Sequence, residues 1–322
     1  MTETAKSNLK GALLSLLAYG IFSTHDVFIK TLGAYYAPFQ IIFFSVLLSL
    51  PLLMFMLMRD ETKANLIPVH PWWSALRTGS VLITGSSAFY AFSTLPLAQT
   101  YAILFAAPLV ITVLSIPILG ERVGLFRWAA VLIGLVGVIV VIRPGAVPLE
   151  LGHFAAMAAA FFGALASIVV RKIGREERSA VLLLYPLMAN FVVMACILPF
   201  VYVPMPFAHF GMVAIVAVLA FIAGLVVIAA YKAGDAAIVA PMQYSQIIWA
   251  AAYGALIFGE YPDTYTFAGA GIIILSGLVV VLRETLSGKS INMPVLSSRP
   301  RPETGASPRQ PLKVRPRSGD LQ

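Results

Sequence analysis

A single cysteine, Cys196, rules out an intrachain disulfide framework and leaves no CxxC pair for a metal or redox centre. Charge is scarce as well. Only 11% of the 322 residues are Asp, Glu, Lys or Arg, while 60% are hydrophobic and the mean hydropathy is +0.90. A soluble domain carries about 25% charge, so this surface could not be kept wet. Catalytic signatures are missing too. Gly288-Lys289-Ser290 has Arg283 where a phosphate-binding loop needs its first glycine, and neither HExxH nor GxSxG occurs. The histidines, His25, His70, His153 and His209, lie in four separate regions with no ligand spacing. ATP-driven pumping, metal catalysis and nucleophilic hydrolysis therefore have no residues in this chain to run on. Neither an enzyme nor a bound cofactor or metal is expected.

What is present is hydrocarbon. A bilayer core about 30 Å thick takes around 20 apolar residues per helix. Runs of that kind fall at about 9–32, 39–58, 73–95, 98–119, 125–143, 151–172, 180–202, 208–232, 236–258 and 264–283. The expectation is an all-α polytopic membrane protein of ten transmembrane helices, whose partners are the lipid bilayer and a small-molecule substrate. The net charge of +8 does not point to nucleic acid, because eight Lys/Arg against three acids lie from Arg283 onward. With the N-terminus in the cytoplasm, the cytoplasmic flanks hold Lys6, Lys10, Arg59, Arg77, Arg127, Arg171, Lys172 and the tail, while the opposite side holds only Lys30 and Arg143. Both termini are therefore expected in the cytoplasm.

The halves of the chain resemble each other. Leu97-Ala98 through Gly120-Glu121 aligns without gaps on Ala236-Ala237 through Gly259-Glu260, an offset of 139. GVIVVIR at Gly137–Arg143 matches GLVVVLR at Gly277–Arg283, an offset of 140. Gly11 and Lys30 match Gly152 and Arg171, an offset of 141. Five spans per copy is an odd number, so the second copy would enter the membrane inverted, as in secondary transporters that alternate access to a midplane site. The expected division is a first repeat over 1–146, a second over 147–285, and a disordered basic tail over 286–322.

Five-plus-five spans, the Pro108 segment ending in Gly120-Glu121, its echo at Gly259-Glu260 and Gly-rich fifth and tenth spans resemble EamA-type members of the drug/metabolite transporter superfamily. The resemblance covers about residues 9–285. It implies a ten-helix bundle that moves metabolites, vitamins or toxic compounds across a bacterial inner membrane. Uptake of a planar nutrient such as riboflavin or S-adenosylmethionine is the rival transport reading. A structural or lipid-handling membrane protein is the rival of another class. Many members carry an arginine in the second span; this sequence reads Phe43-Phe44-Ser45-Val46 there, which weakens an anionic-substrate reading.

Polar residues inside spans are costly and mark function. The first span carries His25, Asp26 and Lys30. Asp26 and Lys30 share a helical face, either as an ion pair with Lys30 snorkelling or with Asp26 as an acid that binds substrate or a coupling proton. The ninth span presents Gln243, Tyr244, Gln246 and Trp249, which suit a planar polar ligand or else hydrogen-bond between helices. Tyr90, Gln99 and Tyr101 are the nearby polar candidates of the first repeat, and Pro108 is expected to bend its helix. The ladder Ala155, Ala159, Gly163, Ser167 reads as close helix packing, within the bundle or at a homodimer face.

Overall fold

The computed structural model describes residues 3–58, 66–120, 123–145, 148–174, 176–177, 179–234 and 236–287. Glu121 and most of the expected tail lie outside them. Among the described residues the chain is all-helical, with no β-strand. The long helices are α1 (Glu3–Gly33), α2 (Pro38–Met58), α3 (Pro71–Thr94), α6 (Leu125–Ile142), α7 (Leu151–Ile173), α8 (Ser179–Val201), α9 (Phe207–Ala233) and α12 (Thr264–Ser287). Two further helical stretches are broken. One is α4 (Leu97–Leu104) followed by α5 (Ala107–Leu119); the other runs α10 (Ala236–Val239), a 3₁₀ turn (Ala240–Ser245), α11 (Gln246–Tyr253) and a π turn (Gly254–Phe258). Six of these stretches are long and apolar enough to cross a membrane, among them Leu9–Gly33, Leu97–Leu119 and Phe207–Tyr231.

The ten hydrophobic runs read from sequence each coincide with one of these stretches, within about four residues at either end except at the start of α1, which begins six residues before the apolar run at 9. Pro108 does more than bend its helix. Without an N–H it cannot satisfy the Leu104 carbonyl, and the chain steps through 3₁₀-type bonds, Ala106 N to Ile103 O and Leu109 N to Ala106 O. Both broken stretches end on a glycine in the left-handed region, Gly120 at φ 71° and Gly259 at φ 66°. A β-carbon there would meet the following carbonyl, which is why the Gly-Glu signature recurs at both places.

With little hydrophobic drive between helices in lipid, packing rests on small residues and polar ties. α1 lies along α9 and α3 along α7, while α6 packs on α12, α2 on α8 and α4 on α11. A β-carbon on Gly11 would collide with Gly234, and one on Gly152 with Thr94 and Leu95. The buried stripe of α7 runs through Gly152, Ala156, Ala159, Ala160 and Gly163, a register slightly shifted from the expected ladder. Exposed Leu132, Leu135, Val136 and Ile139 on α6 are the apolar face left for lipid.

Polar ties gather at two ends. At the end carrying the start of α1, His70 N donates to Glu177, His70 Nε2 lies 2.5 Å from Glu176, and Lys172 Nζ donates to Ile118 O at 2.7 Å. At the opposite end, Tyr36 Oη meets His209 Nδ1 at 2.7 Å, and the Gln40 carboxamide makes two bonds to the Val203 backbone, at 2.7 and 2.9 Å.

That end also holds Asp263, which caps α12 by accepting from Thr266 N at 2.9 Å and Thr266 Oγ1 at 2.6 Å, and pairs with Arg143 at 2.5 Å. The Thr266 hydroxyl bond first, then the Thr266 backbone N–H and Arg143, hold this carboxyl below the usual carboxylate range against opposing desolvation. A depressed folded pKa contributes stability above the unfolded pKa that is lost as pH falls through the folded one. The thermal stability advantage of the wild type over Asp263→Ala should thus be constant at neutral pH and shrink in acid below about pH 4. An advantage that grows on acidification would contradict this.

Candidate functional site

The core of the bundle holds an acid. Asp26 is 1% exposed on α1, level with the two helix breaks, and its carboxylate is engaged at both oxygens. His25 Nδ1 lies 2.7 Å from Oδ1, and the Tyr101 hydroxyl on α4 donates to Oδ2. Tyr101 Oη in turn accepts from Gln246 Nε2 at 3.2 Å, the first residue of α11. One phenol therefore joins α1, α4 and α11. Burying a carboxylate in a span costs about 2.5–3.5 kcal/mol on insertion scales. Hydrogen bonds to charged groups contribute about 1.5–3 kcal/mol each, so two of them suffice to hold the charge there.

Aromatic rings surround this chain of bonds. Tyr101 packs edge-on to Phe92 at 5.2 Å and lies 5.9 Å from Phe105; Phe105 meets Tyr244 at 5.1 Å, and His25 meets Phe89 at 6.3 Å. Phe105 sits in the break between α4 and α5, and Tyr244 in the 3₁₀ turn, so the two interruptions touch. Broken helices in membranes occur where the freed backbone is buried in protein or lines a cavity.

The sequence candidates divide into those the fold assembles and those it does not. Asp26, His25, Tyr101 and Gln246 come together. Lys30 does not pair with the carboxylate one turn earlier. Its ammonium reaches Glu260 Oε1 and Leu95 O, both at 2.7 Å, and lies over the Phe258 ring. Glu260 Oε2 also accepts from Leu97 N at 3.2 Å, so this pair ties the end of α1 to two loops. Sequence reasoning did not single out Glu260 as a tie to α1; its place in the repeated Gly259-Glu260 signature was the available signal.

Gln243 lies in the 3₁₀ turn and Gln246 follows it, but Trp249 belongs elsewhere. Its indole lies against Gly20, roughly 120° around α1 from Asp26, and stacks near Tyr253, whose hydroxyl meets Thr24 Oγ1 at 2.9 Å. Trp249 is 39% exposed where Gln246 is 5%. The buried Tyr244 hydroxyl lies at Gly277, in the space a β-carbon would take. Gln99 meets His153 Nε2 at 3.0 Å, joining the first turns of α4 and α7. The Gln99 atom at that contact is Nε2, and His153 Nδ1 accepts from Glu150 N. Tyr90 is half-buried on α3 and takes no part in the hydrogen-bonded chain among the described residues.

Comparison with known proteins bears on this arrangement. The EamA-like transporter family matches residues 9–143 and again residues 150–282. The chain is 27% identical to the S-adenosylmethionine uptake transporter of Rickettsia prowazekii, covering 90% of this chain and 98% of that one. It is 29% identical to the riboflavin transporter of Vibrio cholerae over 59% of this chain and 64% of that one. It is 24% identical to the pseudopaline exporter of Pseudomonas aeruginosa over 86% and 97%. A solved crystal structure shares the fold at a TM-score of 0.58 and 18% identity, over 89% of this chain and 99% of that one.

Proposed function

Because the chain belongs to the EamA-like transporter family of the drug/metabolite transporter superfamily, we propose that it is a secondary transporter moving a small polar organic metabolite across the bacterial inner membrane, by proton-coupled alternating access. It is a multi-pass membrane protein and a transporter, not an enzyme. The observation that carries the finer reading is the buried chain Asp26–Tyr101–Gln246, placed where two interrupted helices meet. An acid in the core can exchange a proton, and a carboxamide can hydrogen-bond a solute.

Ten spans in two inverted repeats fit this reading. Exchanging each span for the one five later maps the α1–α9 packing onto α7–α3 and leaves α2–α8, α4–α11 and α6–α12 paired as before. The ties correspond as well. His70 with Glu176 and Glu177 at one end answers to His209 with Tyr35 and Tyr36 at the other, at offsets of 139 and 141 residues. Gly11 against Gly234 answers to Gly152 against Leu95 at the same offsets. Uptake of a planar nutrient such as riboflavin or S-adenosylmethionine is the second reading, favoured by the rings beside Tyr101 and by the named cargo of two relatives.

Right-side-out and inverted vesicles offered a metabolite panel test the function. One solute should accumulate when a pH gradient is imposed and equilibrate when it is collapsed. Movement that ignores the pH gradient in both vesicle types would rule out proton coupling. For topology, reporters fused at Thr2 and after Arg283 should both signal cytoplasm; a periplasmic signal from either would sink the ten-span arrangement.

A further inference from the structure

The hydroxyl of Tyr101 is a donor to Asp26 and an acceptor from Gln246 at once. A phenol O–H lies in the ring plane and has two in-plane directions. Here Asp26 and Gln246 are two hydrogen-bond neighbours of the hydroxyl. We propose that Tyr101 is a positioning residue that converts the protonation state of Asp26 into the orientation of the Gln246 carboxamide. The inference rests on the proton-coupled reading of the site.

With Asp26 ionised, the bonds run from Gln246 N–H to Tyr101 O and from Tyr101 O–H to Asp26 Oδ2. A proton arriving from water on Oδ2 forms one new O–H bond and raises the charge of the cluster by one. Two hydrogens then face each other between Asp26 and Tyr101. The Oδ1 side keeps its bond to His25 Nδ1, and on the Oδ2 side it is the phenol O–H that rotates. Asp26 O–H now donates to Tyr101 O, and Tyr101 O–H swings toward Gln246. There it meets a donor, Nε2, until the carboxamide turns half a revolution and offers Oε1. No other covalent bond changes. The carboxamide oxygen and nitrogen are near-isosteric, so the turn needs no repacking. Ionised Asp26 thus leaves the Gln246 carbonyl free for a solute donor, and protonated Asp26 leaves its NH₂ free for a solute acceptor.

Among the described residues, the titratable and charged groups near Asp26 include His25 and Lys30 on its own helix, Tyr101 from α4, and Glu260, which holds Lys30; α3 contributes Phe89 and α11 contributes Gln246. Lys30 is thereby committed to Glu260 while Asp26 is read out by Tyr101.

Infrared difference spectra of the reconstituted full chain, taken across a pH step with no solute added, test the relay. Glutamine is labelled with ¹³C at the carboxamide carbon. Wild type should show a carboxyl C=O band that disappears in Asp26→Asn. It should also show an isotope-shifted carboxamide band that disappears in Gln246→Met. Tyr101→Phe keeps the ring and removes the hydroxyl; it should keep the carboxyl band and lose the carboxamide band. A carboxamide band that survives in Tyr101→Phe, or is absent from wild type while the carboxyl band is present, overturns the relay and leaves proton binding at Asp26 standing. No carboxyl band in wild type overturns both.

Discussion

Replacing Asp26 by asparagine should reduce gradient-driven accumulation to a ratio of about one, while solute exchange across the membrane continues. With one proton moved per solute, each pH unit sustains roughly a tenfold concentration ratio, so the wild type and the variant separate widely under an imposed gradient of about two units. The fold should tolerate the change. Asparagine keeps an oxygen to accept from Tyr101, and His25 can present the unprotonated face of its ring to the new NH₂. What is lost is the group proposed to take up and release a proton. Paired measurements, pH-driven uptake and solute counterflow in the same vesicles, separate the cases. Failure of the variant to assemble would make the carboxylate a structural tie, and unchanged accumulation would remove Asp26 from coupling.

The second large effect concerns Lys30 and Glu260. Lys30→Met should destabilise the protein by roughly 2–3 kcal/mol, below the about 3–5 kcal/mol of a fully buried pair because Glu260 keeps some contact with solvent. The loss has two parts, the unpaired carboxylate and the Leu95 carbonyl that no longer receives an N–H. Reversing the pair, Lys30→Glu with Glu260→Lys, separates them. Charge is restored, but a carboxylate would then face the Leu95 carbonyl and an ammonium the Leu97 N–H. The double variant should therefore unfold above Lys30→Glu alone and below wild type when melted in detergent. Full recovery would mean that the loop bonds contribute nothing. A neutral Lys30→Met would mean that the pair is not a clamp.

The sequence alone determined the solvent and the segmentation. Sixty per cent apolar residues in ten runs of bilayer length admit little except helices, because each backbone group must be satisfied within its own segment. Asp26, His25, Tyr101 and Gln246 were legible for a related reason, since a polar group in such a run is conspicuous. The glycines at 120 and 259 were legible as a repeated signature, and their left-handed backbone supplies the cause.

Partner choice was decided only by tertiary structure. Spacing on α1 allowed Lys30 to reach either Asp26 or an outside group, and helical periodicity carries no information about which loop closes over the helix end; the loops before α4 and α12 supplied Leu95 and Glu260. Periodicity also placed Gln246 and Trp249 on one face of a regular helix, whereas the 3₁₀ turn before Gln246 and the crossing of α1 sent the carboxamide inward and the indole to Gly20. A side chain's neighbours across a bundle lie more than a hundred residues away in the chain, as Tyr101 and Gln246 do. Local pattern specifies which groups must find partners, and only the packing of the helices specifies which partners they find.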